Sequence, residues 1–153
     1  MQKITPFLMF EDEAVEAMNF YVSVFKNSRV INTMPGPDGT PMGGSFQLEG
    51  QDFMCYNGGP SFKFEQGMSL YVSCQDQAEI DDLWEKLSAG GEKQPCGWVK
   101  DKYGVSWQII PAVLADLLGD KDPERGKRVM DAVLKMGKID IKLSRQLSAG
   151  RRG

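Results

Sequence analysis

The sequence predicts an α+β fold: two tandem modules, each reading strand–helix–strands, followed by C-terminal helices. Three recurrences predict it. Leu8-Met9-Phe10, in a strand-like run, returns as Leu70-Tyr71-Val72 at an offset of 62. Phe20-Tyr21 with Val24, at helical spacing, returns as Leu83-Trp84 with Leu87 at an offset of 63. Gly50-Gln51-Asp52-Phe53-Met54 returns as Gly104-Val105-Ser106-Trp107-Gln108 at an offset of 54, so the second copy has shorter loops. One supersecondary pattern met twice is the mark of a structural repeat. The chain is expected to be one domain over 1–153, with modules at about 1–58 and 66–111 and a helical extension at about 112–148.

Each element has its own signal. "ITPFLMF" (4–10) reads as a strand, and Asp12 as the cap of a helix over about 13–26. That helix places Ala14, Ala17, Met18, Tyr21, Val24 and Phe25 on one face. "RVINTM", "SFQLEG" and "QDFMCYN" read as three strands, the first two joined through the turn "PGPDGTPMGG". Asn57-Gly58-Gly59-Pro60 reads as the hinge between modules. "MSLYVSC" then starts the second module as a strand. "DQAEIDDLWEKLSAGG" is a helix with Ile80, Leu83, Trp84 and Leu87 on one face and glycines at its end. "KQPCGWVKD" and "GVSWQII" read as strands, joined by a turn in which Gly104 supplies positive φ. "PAVLADLL" reads as a short helix with proline in its first turn, and Asp122-Pro123 opens another that "IDIKLSRQL" extends. This end of the chain is expected to pack on the core or on a partner subunit.

Composition removes several function classes. With no histidine among 153 residues, Ser-His-Asp triads, His general bases and nearly every catalytic zinc site are excluded. Glu11, Asp12 and Glu13 are explained by the start of a helix rather than by a metal. A net charge of −3 argues against a nucleic-acid partner. The basic residues Arg125, Lys127, Arg128, Lys135, Lys138, Lys142, Arg145, Arg151 and Arg152 read as a solvated helix face and tail. No apolar run reaches the roughly 18 residues of a membrane span. The N-terminus lacks the regions of a signal peptide, so no membrane association is expected. Cys55, Cys74 and Cys96 form no paired motif and read as reduced thiols of a cytoplasmic protein.

Six stretches carry a family resemblance: "ITPFLMF", "EAMNFYVSVF", "NGGPSFKF", "LWEKLSAGG", "CGWVKDKYGVSWQIIP" and "DPERGKRVMDAVLKMGKIDI". With two βαβββ-like halves, the chain resembles the vicinal oxygen chelate (glyoxalase/bleomycin-resistance) superfamily. Within it, the chain is similar to the PhnB-like, 3-demethylubiquinone-9 3-methyltransferase domain family. The resemblance implies tandem βαβββ modules forming a curled mixed sheet around an open cup, and in the superfamily's metal enzymes a divalent cation held there by His and Glu. Those ligand positions fall near Thr5 and Gly67 (or Pro6 and Met68) and at Met54 and Gln108. Only Gln108 offers a good oxygen, so neither metal nor cofactor is expected.

Strand alternation divides the side chains between two faces. If Leu8, Phe10, Phe53, Cys55, Leu70, Val72, Trp107 and Ile109 face the helices, the cup receives Thr5, Phe7, Met9, Met54, Tyr56, Ser69, Tyr71, Ser106, Gln108 and Ile110. Trp98 falls at the expected rim. From these, Gln108, Ser106, Tyr56, Met54, Tyr71, Phe7, Thr5 and Trp98 are the candidate ligand-binding residues, and no catalytic residue is identified. Mostly apolar walls with a few polar groups suit a small-molecule pocket. A layer closed by a partner chain has similar residues. Gln108 has three readings: ligand contact, a bond to neighbouring backbone, or solvation. The expectation is a metal-independent small-molecule-binding protein, and the resemblance implies a homodimer whose second subunit completes the cup. The alternatives are a methyltransferase-type enzyme and a regulatory or DNA-associated protein. "GPDGTPMGG" reads as a hairpin loop rather than a cofactor cradle, since it does not lie between a strand and a helix.

Overall fold

A computed structural model describes residues 2–150. It divides into two compact units, one ending at Phe64 and the other beginning at Glu65. The first contains β1 (Phe7–Phe10), α1 (Ala14–Val24), β2 (Ser28–Pro35), β3 (Pro41–Leu48) and β4 (Gln51–Asn57). The second contains β5 (Leu70–Cys74), α2 (Gln77–Ser88), β6 (Glu92–Lys93), β7 (Trp98–Lys100) and β8 (Ser106–Pro111). Helices α3 (Val113–Leu118), α4 (Pro123–Val133) and α5 (Ile141–Ser148) follow. The sheet orders β1-β4-β3-β2 and β5-β8-β7-β6 are the same arrangement written twice. In each, the first and last strands of the module pair in parallel and the remaining pairs are antiparallel.

In the first unit α1 buries Ala14, Ala17, Met18, Tyr21 and Val24, the stripe its spacing predicts. Phe46 and Phe53 stack beneath it with ring centroids 5.3 Å apart, and the Cys55 thiol donates to Ala14 O. Asp12 does not cap this helix. The Ala14 N–H is instead bound by Asn57 Oδ1 at 2.8 Å, so β4 closes the helix start from 43 residues away. Strand β1 is shorter than predicted, and Ile4 lies exposed before it. Met42, Gly43 and Gly44, predicted as turn, belong to β3. Glycine is needed there because a Cβ on Gly44 would meet Asn32 O and, at 3.0 Å, Met18 Sδ.

In the second unit α2 buries Ile80, Leu83, Trp84 and Leu87. Val99, Trp107 and Ile109 are among the buried residues of the strands beside it. "KQPCGWVKD" is not one strand. A 3₁₀ turn over Pro95–Gly97 interrupts it, with Cys96 at φ 64° and Gly97 at φ 79°. Pro111 ends β8 rather than opening a helix, and α5 is a separate helix capped by Asp140. Ile110, assigned by alternation to the cup, is buried with Leu114, Val129, Val133 and Ile139 under the C-terminal helices. Packing of the C-terminal helices on the core is one of the two expectations, but no local signal marks Ile110 as the residue they cover. Arg151 and Arg152 lie outside the described residues. Among the described residues no helix is long and apolar enough to cross a membrane.

Candidate functional site

The turn from Asp101 to Val105 fixes the strand that carries Gln108. The Asp101 carboxylate is buried and accepts three bonds: Tyr103 N at 2.9 Å, Val105 N at 3.0 Å and Trp107 Nε1 at 2.9 Å. Gly104 turns the chain at φ 93°, a conformation that strains any residue bearing a Cβ. One carboxylate therefore ties the turn to the indole of Trp107, which is itself core. Residue 108 must then point to the opposite face.

That face holds a row across three strands. Tyr71 is the register partner of Gln108 on β5, and Trp98 is its partner on β7. Gln108 Nε2 donates to Ser69 Oγ at 2.8 Å, and the other end of the carboxamide has no protein partner among the described residues. The amide is thus oriented by a neighbouring side chain, which none of the three sequence readings anticipated. Tyr71 is 59% exposed, so this face is open beside the amide. Ser106, by contrast, is only 3% exposed.

Beside Trp98 lies an open cavity of about 530 Å³, lined also by Gln66, Glu92, Gln94, Pro95 and Cys96. Lys93 bonds Glu85 on α2 and pairs with the buried Val99. Alternation then sends Glu92 and Gln94 to the open face with Trp98. Sequence reasoning missed both, because the interruption at Pro95–Gly97 hides the phase of β6. Glu92 brings a carboxylate to a face where none was expected.

In the first unit the corresponding face carries Phe7, Met54 and Ser45 in one row and Met9, Tyr56 and Gly43 in the next. Phe7 is exposed, and Met54 and Tyr56 are half-buried. Thr5 is half-buried and lies before β1, outside the paired rows. The registers also revise one equivalence. With Met9 laid on Tyr71, the residue matching Gln108 is Tyr56 rather than Met54, since Met9 pairs with Tyr56. The shift is two residues and leaves the faces unchanged.

The donor set does not fit a divalent metal. Thr5 with Met54 or Tyr56 in the first unit supplies only hydroxyls, and Gly67 with Gln108 in the second supplies one amide oxygen, where a hard cation takes six or more oxygens including carboxylates. Among the described residues no group of three His, Cys, Asp or Glu could hold an ion. The buried thiols are inert. Burial pushes Cys55 up to about 11, and burial together with Glu79 and Asp76 pushes Cys74 up to about 12.

A sequence model of the family described as 3-demethylubiquinone-9 3-methyltransferase matches residues 2–110. A solved PhnB protein of Bacillus cereus, assigned by name to the same methyltransferases, is 41% identical. It aligns over 72% of this chain and 100% of its own, with a TM-score of 0.65. A Pseudomonas aeruginosa protein is 20% identical over 72% of this chain and 98% of its own (TM-score 0.58). A fosfomycin resistance protein of Listeria monocytogenes, solved with manganese(II) and sulfate, is 18% identical over 70% of this chain and 90% of its own (TM-score 0.54). The last two show a shared fold. No curated protein matches the chain.

Proposed function

The chain belongs to the 3-demethylubiquinone-9 3-methyltransferase family and has the glyoxalase-like fold of the vicinal oxygen chelate superfamily, and on that premise we propose that it binds a small, partly apolar molecule without a metal ion. The row Tyr71–Gln108–Trp98 carries the reading. Two aromatic side chains flank a carboxamide that Ser69 holds in place, and the free end of that amide is available to a polar group of the ligand. A second copy of the chain is the proposed cover, because Phe7, Met68 and Tyr71 leave apolar surface exposed. Three free cysteines suit a reducing compartment, and the cytoplasm is the proposed one.

The test is ligand-observed NMR with a panel of small phenols, indoles and quinones. At least one class should bind, and Gln108→Ala should abolish that binding. The same variant should keep its stability within about 1 kcal/mol, since the bond lost is half-exposed. Binding that survives Gln108→Ala and Tyr71→Ala would place the site elsewhere. Metal analysis of protein purified without chelator should find far less than one divalent ion per chain; one per chain would overturn the metal-free reading.

The family description favours a second reading, methyl transfer. Against it, the glycine-rich loop Gly36–Thr40 joins β2 to β3 as a hairpin, not a strand to a helix. Calorimetric titration with S-adenosylmethionine separates the two readings: heat of binding supports transfer, and its absence at high protein concentration removes it.

A further inference from the structure

We infer that residues 136–141 form a strap through which the C-terminal extension holds the Trp98 corner in place, with Gln77 as the strap's positioning residue. The family match ends at residue 110, so the corner lies inside the matched region and the strap outside it. The corner requires outside support. Cys96 and Gly97 are consecutive left-handed residues, and the N–H groups of both bond to residues outside the sheet. The strap meets both: Cys96 N donates to Met136 O at 2.8 Å and Gly97 N to Gly137 O at 2.9 Å. Ile139 fills the space over Gly97, where an added Cβ would lie 2.9 Å from Ile139 Cδ1.

Helix α2 anchors the strap in turn. Gln77 Nε2 donates to Ile139 O at 3.0 Å, and Ile141 N donates to Gln77 Oε1 at 2.9 Å. One carboxamide thus holds the backbone on both sides of Asp140. The same Nε2 donates to Asp81 Oδ1, to which Lys138 also pairs at 2.9 Å. The Gln77 bond and then Lys138 hold the Asp81 carboxyl below its ordinary value, so it stays ionised at neutral pH. The chain of contact runs from α2 through Gln77 and the strap to Cys96, Gly97 and Trp98. The cavity beside Trp98 therefore has a wall whose shape depends on the extension. Only this functional consequence rests on the ligand reading; the strap stands without it.

The experiment needs no ligand. Labelling of native protein with dithiobis(nitrobenzoate) should modify Cys96 alone, since Cys55 and Cys74 are buried. Gln77→Ala should raise the Cys96 rate about fivefold or more. Amide exchange at Cys96 and Gly97 should quicken about tenfold. Arg128→Ala removes a bond to Leu147 O within the extension, away from the strap, and should change neither. Should Gln77→Ala not fold, Lys138→Ala breaks a half-exposed part of the same anchor and should shift both readouts in the same direction by less. The inference is overturned if the Cys96 rate and the Cys96 and Gly97 exchange match wild type in folded Gln77→Ala, or in Lys138→Ala where only that variant folds. Weakened fragment binding in Gln77→Ala would extend the strap's effect to the ligand. Equal binding with a raised Cys96 rate would limit the strap to the corner itself.

Discussion

Asp101→Ala is expected to lower folding stability by about 3–5 kcal/mol, at the severe end for a single substitution. The carboxylate is buried and accepts from two backbone N–H groups and the Trp107 indole. Removing it strands these donors, and each unmade buried bond costs roughly 1–3 kcal/mol, eased where water enters. Asp101→Asn should lose less, because one amide oxygen can still serve the two backbone donors. Its NH₂ would then face the indole N–H, and two donors cannot pair. Urea unfolding measures both variants. A loss below about 1 kcal/mol for Asp101→Ala would show that the turn holds without the carboxylate.

Gly43→Ala is the second large effect, at about 3 kcal/mol or more. A Cβ at this position would collide with Cys55 O and lie 2.7 Å from Tyr56 Cα, both backbone atoms of β4. Backbone cannot swing aside as a side chain can, so β3 and β4 must part along the row that carries Tyr56. Gly67→Ala is the control: nothing lies within 4 Å of its added Cβ, and its φ is not positive. It should leave the midpoint of thermal unfolding near wild type. Equal midpoints for the two variants would contradict the close approach of β3 to β4.

Periodicity made the fold legible where a segment buries one face against its own module. The stripes of α1 and α2 and the repeated succession of strand, helix and strands follow from spacing alone. What stayed hidden depends on partners distant in sequence. Asn57 displaces Asp12 as the group at the start of α1 through a bond spanning 43 residues. Ile110 alternates like a cup residue but is covered by helices whose docking leaves no local signal. The site divides in the same way. Gln108, Tyr71 and Trp98 fall on one face by counting along strands. Glu92 and Gln94 could not be phased past Cys96, and Gln77 looks like any first residue of a helix.

The proposed function requires that a small molecule bind over Gln108. Two-dimensional ¹H–¹⁵N NMR tests it most directly, through the side-chain amide of Gln108 and the indole N–H of Trp98 during titration with the fragment that binds. Both signals should move saturably with the same dissociation constant. Shifts that cluster elsewhere, with both signals unmoved at saturation, would contradict it.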